Sequence, residues 1–202
     1  MKKVFTFERA NQGSFQIHNL LEVPPSWEEF KGSRQSAVLC LVVEEPDFSG
    51  IFHLLLTKRS TTVRTHKGQI GFPGGHREEQ DKDPVATALR ETHEEIGLHP
   101  EKIEILGSLP PILSLGGKTV VPIVGFSQVE LEYLNLSEAE VAEAILAPLP
   151  LFDRGQEKSL SFKIFGKTRQ STIYRHRHHI IWGLTANMIK SASFETKEPD
   201  ET

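Results

Sequence analysis

Three glutamates, Glu91, Glu94 and Glu95, lie within five consecutive positions of the chain. On an α-helix, residues three and four positions apart are neighbours, so the three carboxylates would share one stripe of the surface. Like charges at that spacing destabilise a helix by about 0.2–0.5 kcal/mol per pair, and a divalent cation would relieve the repulsion. Ligands that are all carboxylate oxygens suit hard ions such as Mg²⁺ or Mn²⁺. The spacing therefore predicts a metal site, with a solvated acidic helix face as the alternative.

Local signals predict the helix that would carry these glutamates. Asp83 is a good N-cap residue, Pro84 fits the first helical position, and Gly97 provides the C-terminal stop. An apolar stripe beside the glutamates would face a core. Its members are Val85, Leu89, Thr92 and Ile96.

The stretch RETHEEIGL at 90–98 resembles the end of the Nudix box, R-E-U-x-E-E-x-G-U, in which U is a bulky aliphatic residue. Thr92 stands at an aliphatic position of that pattern, and Gly75 lies one position farther from Arg90 than in the general box. Asp81 takes the acidic position between them. These departures are typical of the coenzyme A diphosphatase branch of Nudix hydrolases, in which G-G-x-x-[DE]-x-x-D is followed by T-A-L-R-E.

A second signature of that branch precedes the glycines. Residues 55–75 resemble the pattern L-L-T-x-R-S-x-x-x-R-x-H-x-G-Q-x-x-F-P-G-G. Further matches extend the resemblance over residues 36–190. It implies an α/β fold, specifically a Nudix-type α/β/α sandwich with a mixed β-sheet.

The resemblance implies a role for each residue of the acidic segment. Glu91 and Glu95 are the first candidates for metal ligands, followed by Glu94, and a backbone carbonyl near Gly75 completes the ligand shell. Arg90 would orient a carboxylate through charge-assisted hydrogen bonds, or would form only a surface ion pair. Two roles stay open for Asp81, which would support a metal ligand or act only as a loop acid.

The general base has three candidates, Glu91, Glu140 and Glu143, because Nudix enzymes take it from the box or from a distal loop. We expect Glu140 to act together with the other predicted catalytic residues, which are Glu91, Glu94, Glu95 and Arg90. The substrate would be bound by the glycines and by the basic segment before them. The members of that set are Arg59, Arg64, His66, Lys67, Gly74 and Gly75.

The implied activity is hydrolysis of the pyrophosphate bond of coenzyme A or a derivative, with Mg²⁺ or Mn²⁺ as cofactor. Its products would be 3′,5′-ADP and 4′-phosphopantetheine. The alternatives are another nucleoside diphosphate compound, such as ADP-ribose or a dinucleotide, and a non-catalytic Nudix domain that senses a nucleotide. The intact set of three glutamates argues against a pure sensor.

The composition of the chain limits which partners and which cellular location are expected. The 202-residue chain has a formal net charge of −4, which provides no general attraction to nucleic acid or to anionic membranes. No apolar run approaches the roughly 20 residues of a membrane span, and no secretory signal is recognisable. The single cysteine, Cys40, lies in an apolar run that predicts a buried strand. We expect a cytoplasmic monomer or homodimer whose only partner is a small-molecule substrate.

Hydrophobic patterning predicts the remaining elements. Ser26 begins a short helix with Trp27 and Phe30 facing the core. Strands are expected at 36–45, 51–58, 101–109, 119–127, 160–165 and 170–174, with turns at 46–50 and Gly166. Helices are expected at 137–146 and 181–191. The domain organisation follows as an N-terminal extension packed on the domain (1–35), the Nudix domain (36–192) and a disordered tail (193–202).

The stretch RHRHHIIWG offers a competing metal hypothesis, since His176, His178 and His179 are close in sequence. Zinc sites use histidine nitrogens, but no cysteine or E-x-x-H pattern lies nearby. On a strand, His176 and His178 would share a face and would line the substrate pocket or be solvated. The sequence favours that interpretation over zinc.

Overall fold

A computed structural model describes residues 3–9, 12–44, 51–62, 67–114, 116–128, 130–164 and 167–197. The α-helices are α1 (Pro84–Ile96) and α2 (Gly183–Ala192). The strands before α1 are β1 (Lys3–Arg9), β2 (Gln12–Leu20), β3 (Arg34–Glu44), β4 (Phe52–Arg59), β5 (Ile70–Gly71) and β6 (Gly74–His76). Those after it are β7 (Glu104–Ser108), β8 (Ile112–Leu113), β9 (Lys118–Gln128), β10 (Val141–Pro148), β11 (Lys158–Ile164), β12 (Lys167–His176), β13 (His179–Trp182) and β14 (Phe194–Lys197). Four 3-10 helices are described, Trp27–Phe30, Pro100–Lys102, Leu131–Tyr133 and Leu149–Phe152.

The central sheet is mixed, as predicted. Its strand order is β10-β4-β3-β9-β7, and β5, β6 and β8 pair with β4, β3 and β9 respectively. The β3–β9 pair is parallel, whereas the other pairs of this sheet are antiparallel. Strand β3 reads as an almost continuous apolar run because it is buried on both faces.

The two faces of β3 belong to two hydrophobic cores. Leu39 and Leu41 pack in one core with Ile96 of α1. Cys40 and Val42 belong to the other core, which also contains Ile189 and other residues of α2. Helices therefore cover both sides of the sheet, which confirms the predicted α/β/α arrangement, and Cys40 is buried as expected.

Helix α1 begins and ends where its local signals predict. The Asp83 carboxylate accepts a hydrogen bond from the Ala86 N–H at 2.7 Å, which caps the first turn. Gly97 has a φ of 72°, and its N–H donates to the His93 carbonyl at the other end. On the predicted stripe, Thr92 and Ile96 are fully buried. One side of α1 is therefore fixed against the sheet.

The N-terminal segment contains more regular structure than the sequence analysis predicted. The short helix at Trp27 is present as a 3-10 helix that Ser26 caps. Strands β1 and β2 were missed, and they form a three-stranded sheet with β14. Phe7 and Phe15 of that sheet contact Phe52 of the central sheet, with ring centroids 6.0 and 5.0 Å from it. The second sheet therefore covers an aromatic part of the core.

The predicted helix at 137–146 is wrong, because the chain forms strand β10 at Val141–Pro148. Alanine and glutamate in this stretch favour a helix when it is considered alone. The free edge of β4 pairs with it instead, with Leu55 opposite Leu146. Val141, Ile145 and Ala147 are buried on alternate positions, and this period of two agrees with a strand. Tertiary pairing has overridden local propensity.

Two further predictions at the C-terminal end need correction. Ile181 and Trp182 belong to strand β13, so α2 begins only at Gly183. The tail was expected to be disordered, yet residues 194–197 form β14 because Phe194 is fully buried and the strand pairs with β2. The predicted turns at 46–50 and at Gly166 lie outside the described residues.

Within the described part of the chain, no helix has the length and apolarity needed to cross a membrane.

Candidate active site

The three glutamates of α1 differ sharply in exposure. The Glu95 side chain is 4% exposed and the Glu91 side chain 15%, whereas that of Glu94 is 56% exposed. These differences in exposure follow from the rotation of the helix, which directs the Glu95 side chain toward the sheet and the Glu94 side chain toward solvent. Two carboxylates are therefore held inside the fold, and the third lies at its surface.

The Glu95 carboxylate is bound from two sides. Its Oε2 accepts a hydrogen bond of 3.1 Å from the Gly74 N–H, and its Oε1 lies 3.6 Å from Nη1 of Arg59. Burial raises the pKa of Glu95 to about 7, and the charges of Glu91 and Glu140 add to this effect. Burial likewise raises the pKa of Glu91, against the opposing effect of Arg90. A pair of buried acids with raised pKa values is an arrangement that a divalent cation would stabilise.

The two glycines of the loop are required by close packing. Gly74 has a φ of 144°, and a Cβ there would lie 2.5 Å from the Ala37 carbonyl oxygen. A Cβ on Gly75 would lie 2.4 Å from the carboxylate of Glu91. The glycines thus let the β6 backbone approach both acids of α1 closely.

Arg90 organises the acidic cluster. Its guanidinium donates to both carboxylate oxygens of Asp81, at 3.1 and 3.0 Å, and to Glu91 Oε1 at 3.1 Å. It also donates to the His76 carbonyl at 2.8 Å and to Glu94 Oε2 at 3.0 Å. Arg90 therefore ties α1 to the glycine loop, and a surface ion pair alone does not describe its contacts.

Asp81 is a buried anchor for that network. Its side chain is 3% exposed, and it also accepts hydrogen bonds from the Glu78 N–H and the Thr87 hydroxyl. Burial alone would raise the pKa of Asp81, but the hydrogen bonds from Arg90, Glu78 and Thr87 outweigh it and lower the pKa. Asp81 therefore acts through Arg90 on Glu91, which favours the supporting role over that of a simple loop acid.

The candidates for the general base are separated by the fold. Glu140 lies in the connection between β9 and β10, immediately before β10; in this connection the Ser137 N–H donates to the Glu95 carbonyl, and the Ser60 N–H donates to the Glu140 carbonyl. Its charge acts on both Glu91 and Glu95. Because residues 141–148 form a strand, Glu143 lies elsewhere, with its carboxylate 3.2 Å from His179 Nε2 and 3.8 Å from Lys58 Nζ.

The predicted substrate-binding cations are only partly described. Arg59 lies beside Glu95, and its Nε is buried without a hydrogen-bond partner among the described residues. Lys67 is exposed in a turn that is joined to Arg59, because the Gly68 N–H donates to the Arg59 carbonyl. Arg64 and His66 lie outside the described residues.

Three further basic residues, which no pattern in the sequence predicts as a group, gather at one end of the sheet. Arg34 of β3 lies opposite Lys118 of β9, and Ser36 lies opposite His76 of β6. Since residues 34 and 36 share a face of β3, the three basic side chains share it as well. Burial lowers the pKa of Lys118, and the charges of Arg34 and Arg59 lower it further. We call Arg34, His76 and Lys118 the basic group.

The basic group has no acidic counterpart in the described part of the chain. Within that part, no carboxylate lies within ion-pair distance of Arg34 or Lys118, whereas Arg90 contacts four acids. Burial lowers the pKa of His76, and so do the charges of Lys118, Arg34 and Arg59. No sequence signal indicated this group, because strand pairing alone joins positions 34, 76 and 118.

The fold and the acidic helix are those of a hydrolase of the Nudix type. Residues 33–158 match the family model described as NUDIX domain, so the chain belongs to the Nudix family and is a Nudix hydrolase. Nudix hydrolases generally use divalent metal ions. The two buried carboxylates of Glu91 and Glu95 supply oxygen ligands that fit such an ion.

Curated relatives cover most of this chain. It is 38% identical over 166 residues to "Uncharacterized Nudix hydrolase NudL" of Cronobacter sakazakii, which covers 82% of this chain and 84% of the relative. The protein of the same name from Photorhabdus laumondii is 38% identical over 171 residues, or 84% of this chain and 89% of the relative. Among solved structures, the MutT/nudix family protein from Enterococcus faecalis has a TM-score of 0.50 at 20% identity, covering 85% of this chain and 63% of that chain. That likeness shows the fold.

Proposed function

We propose that this protein hydrolyses the pyrophosphate bond of coenzyme A or one of its derivatives, using Mg²⁺ or Mn²⁺. The products would be 3′,5′-ADP and 4′-phosphopantetheine. The observation that carries the proposal is the pairing of a buried acidic site with a separate basic group at the same end of the sheet. The first suits the scissile pyrophosphate with its metal, and the second suits a further phosphate on the same substrate.

Glu91 and Glu95 would hold the metal, with the Gly75 carbonyl as a third donor and Glu94 at the open side. A bound divalent ion neutralises phosphate oxygens and lowers the pKa of bound water, which is the chemistry that this cleavage needs. Arg90 keeps Glu91 in place through its hydrogen bond to Oε1. The Gly74 N–H does the same for Glu95. The protein residues therefore preorganise the site before the substrate arrives.

Glu140 is the proposed general base. It lies in a loop that is hydrogen-bonded to the end of α1 and to Ser60, so its position relative to Glu95 is fixed. Glu91 is the alternative, although one of its carboxylate oxygens already accepts a hydrogen bond from Arg90. A water molecule between the substrate and Glu140 would give its proton to that carboxylate as it attacks phosphorus, and the leaving phosphate would depart from the opposite side.

Arg59 and Lys67 would bind the pyrophosphate, and the basic group would bind the 3′-phosphate that coenzyme A carries on its ribose. Arg59 lies between these two regions, because its guanidinium touches Glu95 and its charge acts on Lys118 and His76. Arginine and lysine are the usual partners of phosphate groups. ADP-ribose and NADH lack a phosphate monoester, so the basic group favours coenzyme A over these alternatives.

A substrate panel tests the proposal. The protein is incubated with Mg²⁺ and coenzyme A, dephospho-coenzyme A, an acyl-coenzyme A, ADP-ribose or NADH, and the products are separated by chromatography. We expect release of 4′-phosphopantetheine from coenzyme A, and a lower KM for coenzyme A than for dephospho-coenzyme A. Turnover of ADP-ribose or NADH without turnover of coenzyme A would overturn the substrate assignment.

A non-catalytic sensor would give binding without any turnover in the same panel. The buried and preorganised acids argue against it, because nucleotide binding alone does not require two buried carboxylates with raised pKa values. A cytoplasmic location and a monomeric or homodimeric state remain predictions from the sequence.

A further inference from the structure

We propose that Glu143, His178 and His179 form a second metal site, separate from the acids of α1, for a transition-metal ion such as Zn²⁺. One ligand atom from each of the three side chains lies within 4.8 Å of the other two. The proposal goes beyond the hydrolysis reaction and does not depend on the substrate. It also revises the zinc hypothesis drawn from sequence, which lacked an acidic partner for the histidines.

The fold brings the three residues together from two parts of the chain. His176 pairs with His179 where β12 meets β13, so Arg177 and His178 form the turn between these strands. Arg177 has a φ of 53°, and this turn conformation brings the His178 and His179 rings to 3.9 Å between centroids. In a regular strand, consecutive side chains would point to opposite faces, so the turn is what allows both rings to face one ion.

Glu143 reaches the same place from β10. Its Oε1 lies 3.2 Å from His179 Nε2, and His179 is almost fully buried. Zn²⁺ binds histidine nitrogen and carboxylate oxygen at about 2.0–2.2 Å, so two tetrahedral ligand atoms lie about 3.4 Å apart. The Glu143–His179 pair already has that separation. Rotation of the exposed His178 side chain would supply the third ligand.

The surroundings suit a transition metal better than Mg²⁺. A cavity of about 200 Å³ adjoins the cluster, and His53 and His176 line it together with Glu143 and His179. Together with His178, four histidines therefore lie in or beside the cavity that Glu143 lines. Imidazole is a ligand for zinc, copper and nickel, whereas Mg²⁺ prefers oxygen.

A bound ion would clamp the β12–β13 turn onto the edge strand β10. Strand β13 leads directly into α2, so the clamp would also stabilise the start of that helix. The three-ligand set leaves room for water or for one of the two nearby histidines as a fourth ligand. We therefore expect metal binding to stabilise the folded chain.

The experiment measures Zn²⁺ binding by calorimetry in metal-free buffer, together with the melting temperature. Both are recorded in a Glu95→Gln background, which weakens binding at the proposed catalytic metal site. We expect one Zn²⁺ per chain and a rise in melting temperature. His178→Ala added to this background should weaken binding by more than about 100-fold, since loss of even an indirect partner of a ligand costs 10–100-fold.

His178 is the preferred test residue because it is exposed, so its replacement leaves the core intact. Glu143→Gln provides a second variant that should weaken binding in the same way, and His99→Ala is the control, an exposed histidine outside the cluster. With Co²⁺ in place of Zn²⁺, the visible absorption of a tetrahedral nitrogen-rich site should appear and then disappear in His178→Ala. Equal Zn²⁺ affinity with and without His178 would overturn the proposal.

Discussion

The burial of the three glutamates of α1 distinguishes two of them as candidate metal ligands. Glu95 and Glu91 are held against the glycine loop by the Gly74 N–H and by Arg90, whereas Glu94 is exposed and accepts a hydrogen bond from Arg90 Nη1. A metal ligand must be deprotonated and fixed before the ion arrives. The two inner acids meet the second condition, and the ion itself would favour their ionised form.

We therefore expect graded losses of activity. Glu95→Gln and Glu91→Gln should each lower kcat by at least about 100-fold, because a metal ligand accounts for several kcal/mol of transition-state stabilisation. Glu94→Gln should have a smaller effect. Steady-state kinetics with coenzyme A would measure this series, with Glu101→Gln as the control at an exposed position outside the site. A Glu95→Gln enzyme with near-normal kcat would refute the ligand assignment.

The hydrogen bonds of Asp81 lead to a prediction about the stability of the fold. Asp81→Asn should lower the free energy of unfolding by about 1.5–3 kcal/mol at pH 7, because charge-assisted hydrogen bonds from Arg90 are lost. The pKa of Asp81 is below its usual 3.8 in the folded state, so its contribution is complete above that pH and is lost as the pH falls further. The difference between wild type and variant should therefore shrink below about pH 3.8.

Urea unfolding at pH 7, 5 and 3 would measure this difference. Glu79→Gln is the matched control, because Glu79 is an exposed acid of the same loop, and its effect should stay within about 0.5 kcal/mol. A difference between Asp81→Asn and wild type that is the same at pH 3 and pH 7 would contradict the role of the Asp81 charge.

At the scale of elements, the loop that contains β6 is fitted to α1 by two glycines with different constraints. Gly74→Ala would place a Cβ against backbone atoms of β3 at a positive φ. It should destabilise the fold by about 1–3 kcal/mol or more through strain. In Gly75→Ala, the three atoms nearest to the new Cβ would all belong to the end of the Glu91 side chain, which can rotate away. It should lower activity by at least about tenfold, since Glu91 leaves its place, while stability changes by less than about 1 kcal/mol.

Thermal unfolding and kcat, measured on the same preparations, separate these two outcomes. Gly116→Ala is the control, because a Cβ at that position has no atom within 4 Å. If Gly75→Ala retained full activity, the close approach of the loop to Glu91 would have no catalytic importance.

Elements differ in how far the sequence determines them. Helix α1 was predicted to the residue because its cap, its proline and its terminal glycine act within one turn. Strand β10 was not, because its alanines and glutamates favour a helix and only the edge of β4 makes them a strand. Strand β1 was missed for a similar reason, since its few apolar residues are stabilised by contacts with Phe52 and Phe126.

At the scale of the whole molecule, the central sheet assembles groups that are far apart in sequence. The Nudix box and the glycine loop were recognisable because each is continuous. The basic group was not, because β3 pairs with β6 on one side and with β9 on the other to bring its three members together. The metal cluster at Glu143 likewise depends on β10 being a strand. Long-range pairing thus assembles both the basic group and the residues of the proposed second metal site.

The basic group provides the sharpest test of the substrate. In the double variant Arg34→Ala/Lys118→Ala, KM for coenzyme A should rise by at least about tenfold, since a hydrogen bond to a charged group contributes about 1.5–3 kcal/mol. KM for dephospho-coenzyme A should change little, because that substrate lacks the 3′-phosphate. The preference of the wild-type enzyme for coenzyme A over dephospho-coenzyme A should also weaken as the salt concentration is raised, since exposed charges are screened.

Lys102→Ala is the control for the loss of an exposed cation, and it should leave both KM values unchanged. Equal losses on coenzyme A and dephospho-coenzyme A would assign Arg34 and Lys118 to the pyrophosphate or to the fold instead. Unchanged kinetics on both would remove them from the binding site. A selective loss on coenzyme A would show that the 3′-phosphate is recognised at the junction of β3, β6 and β9, while the bond that is cleaved lies over the acids of α1.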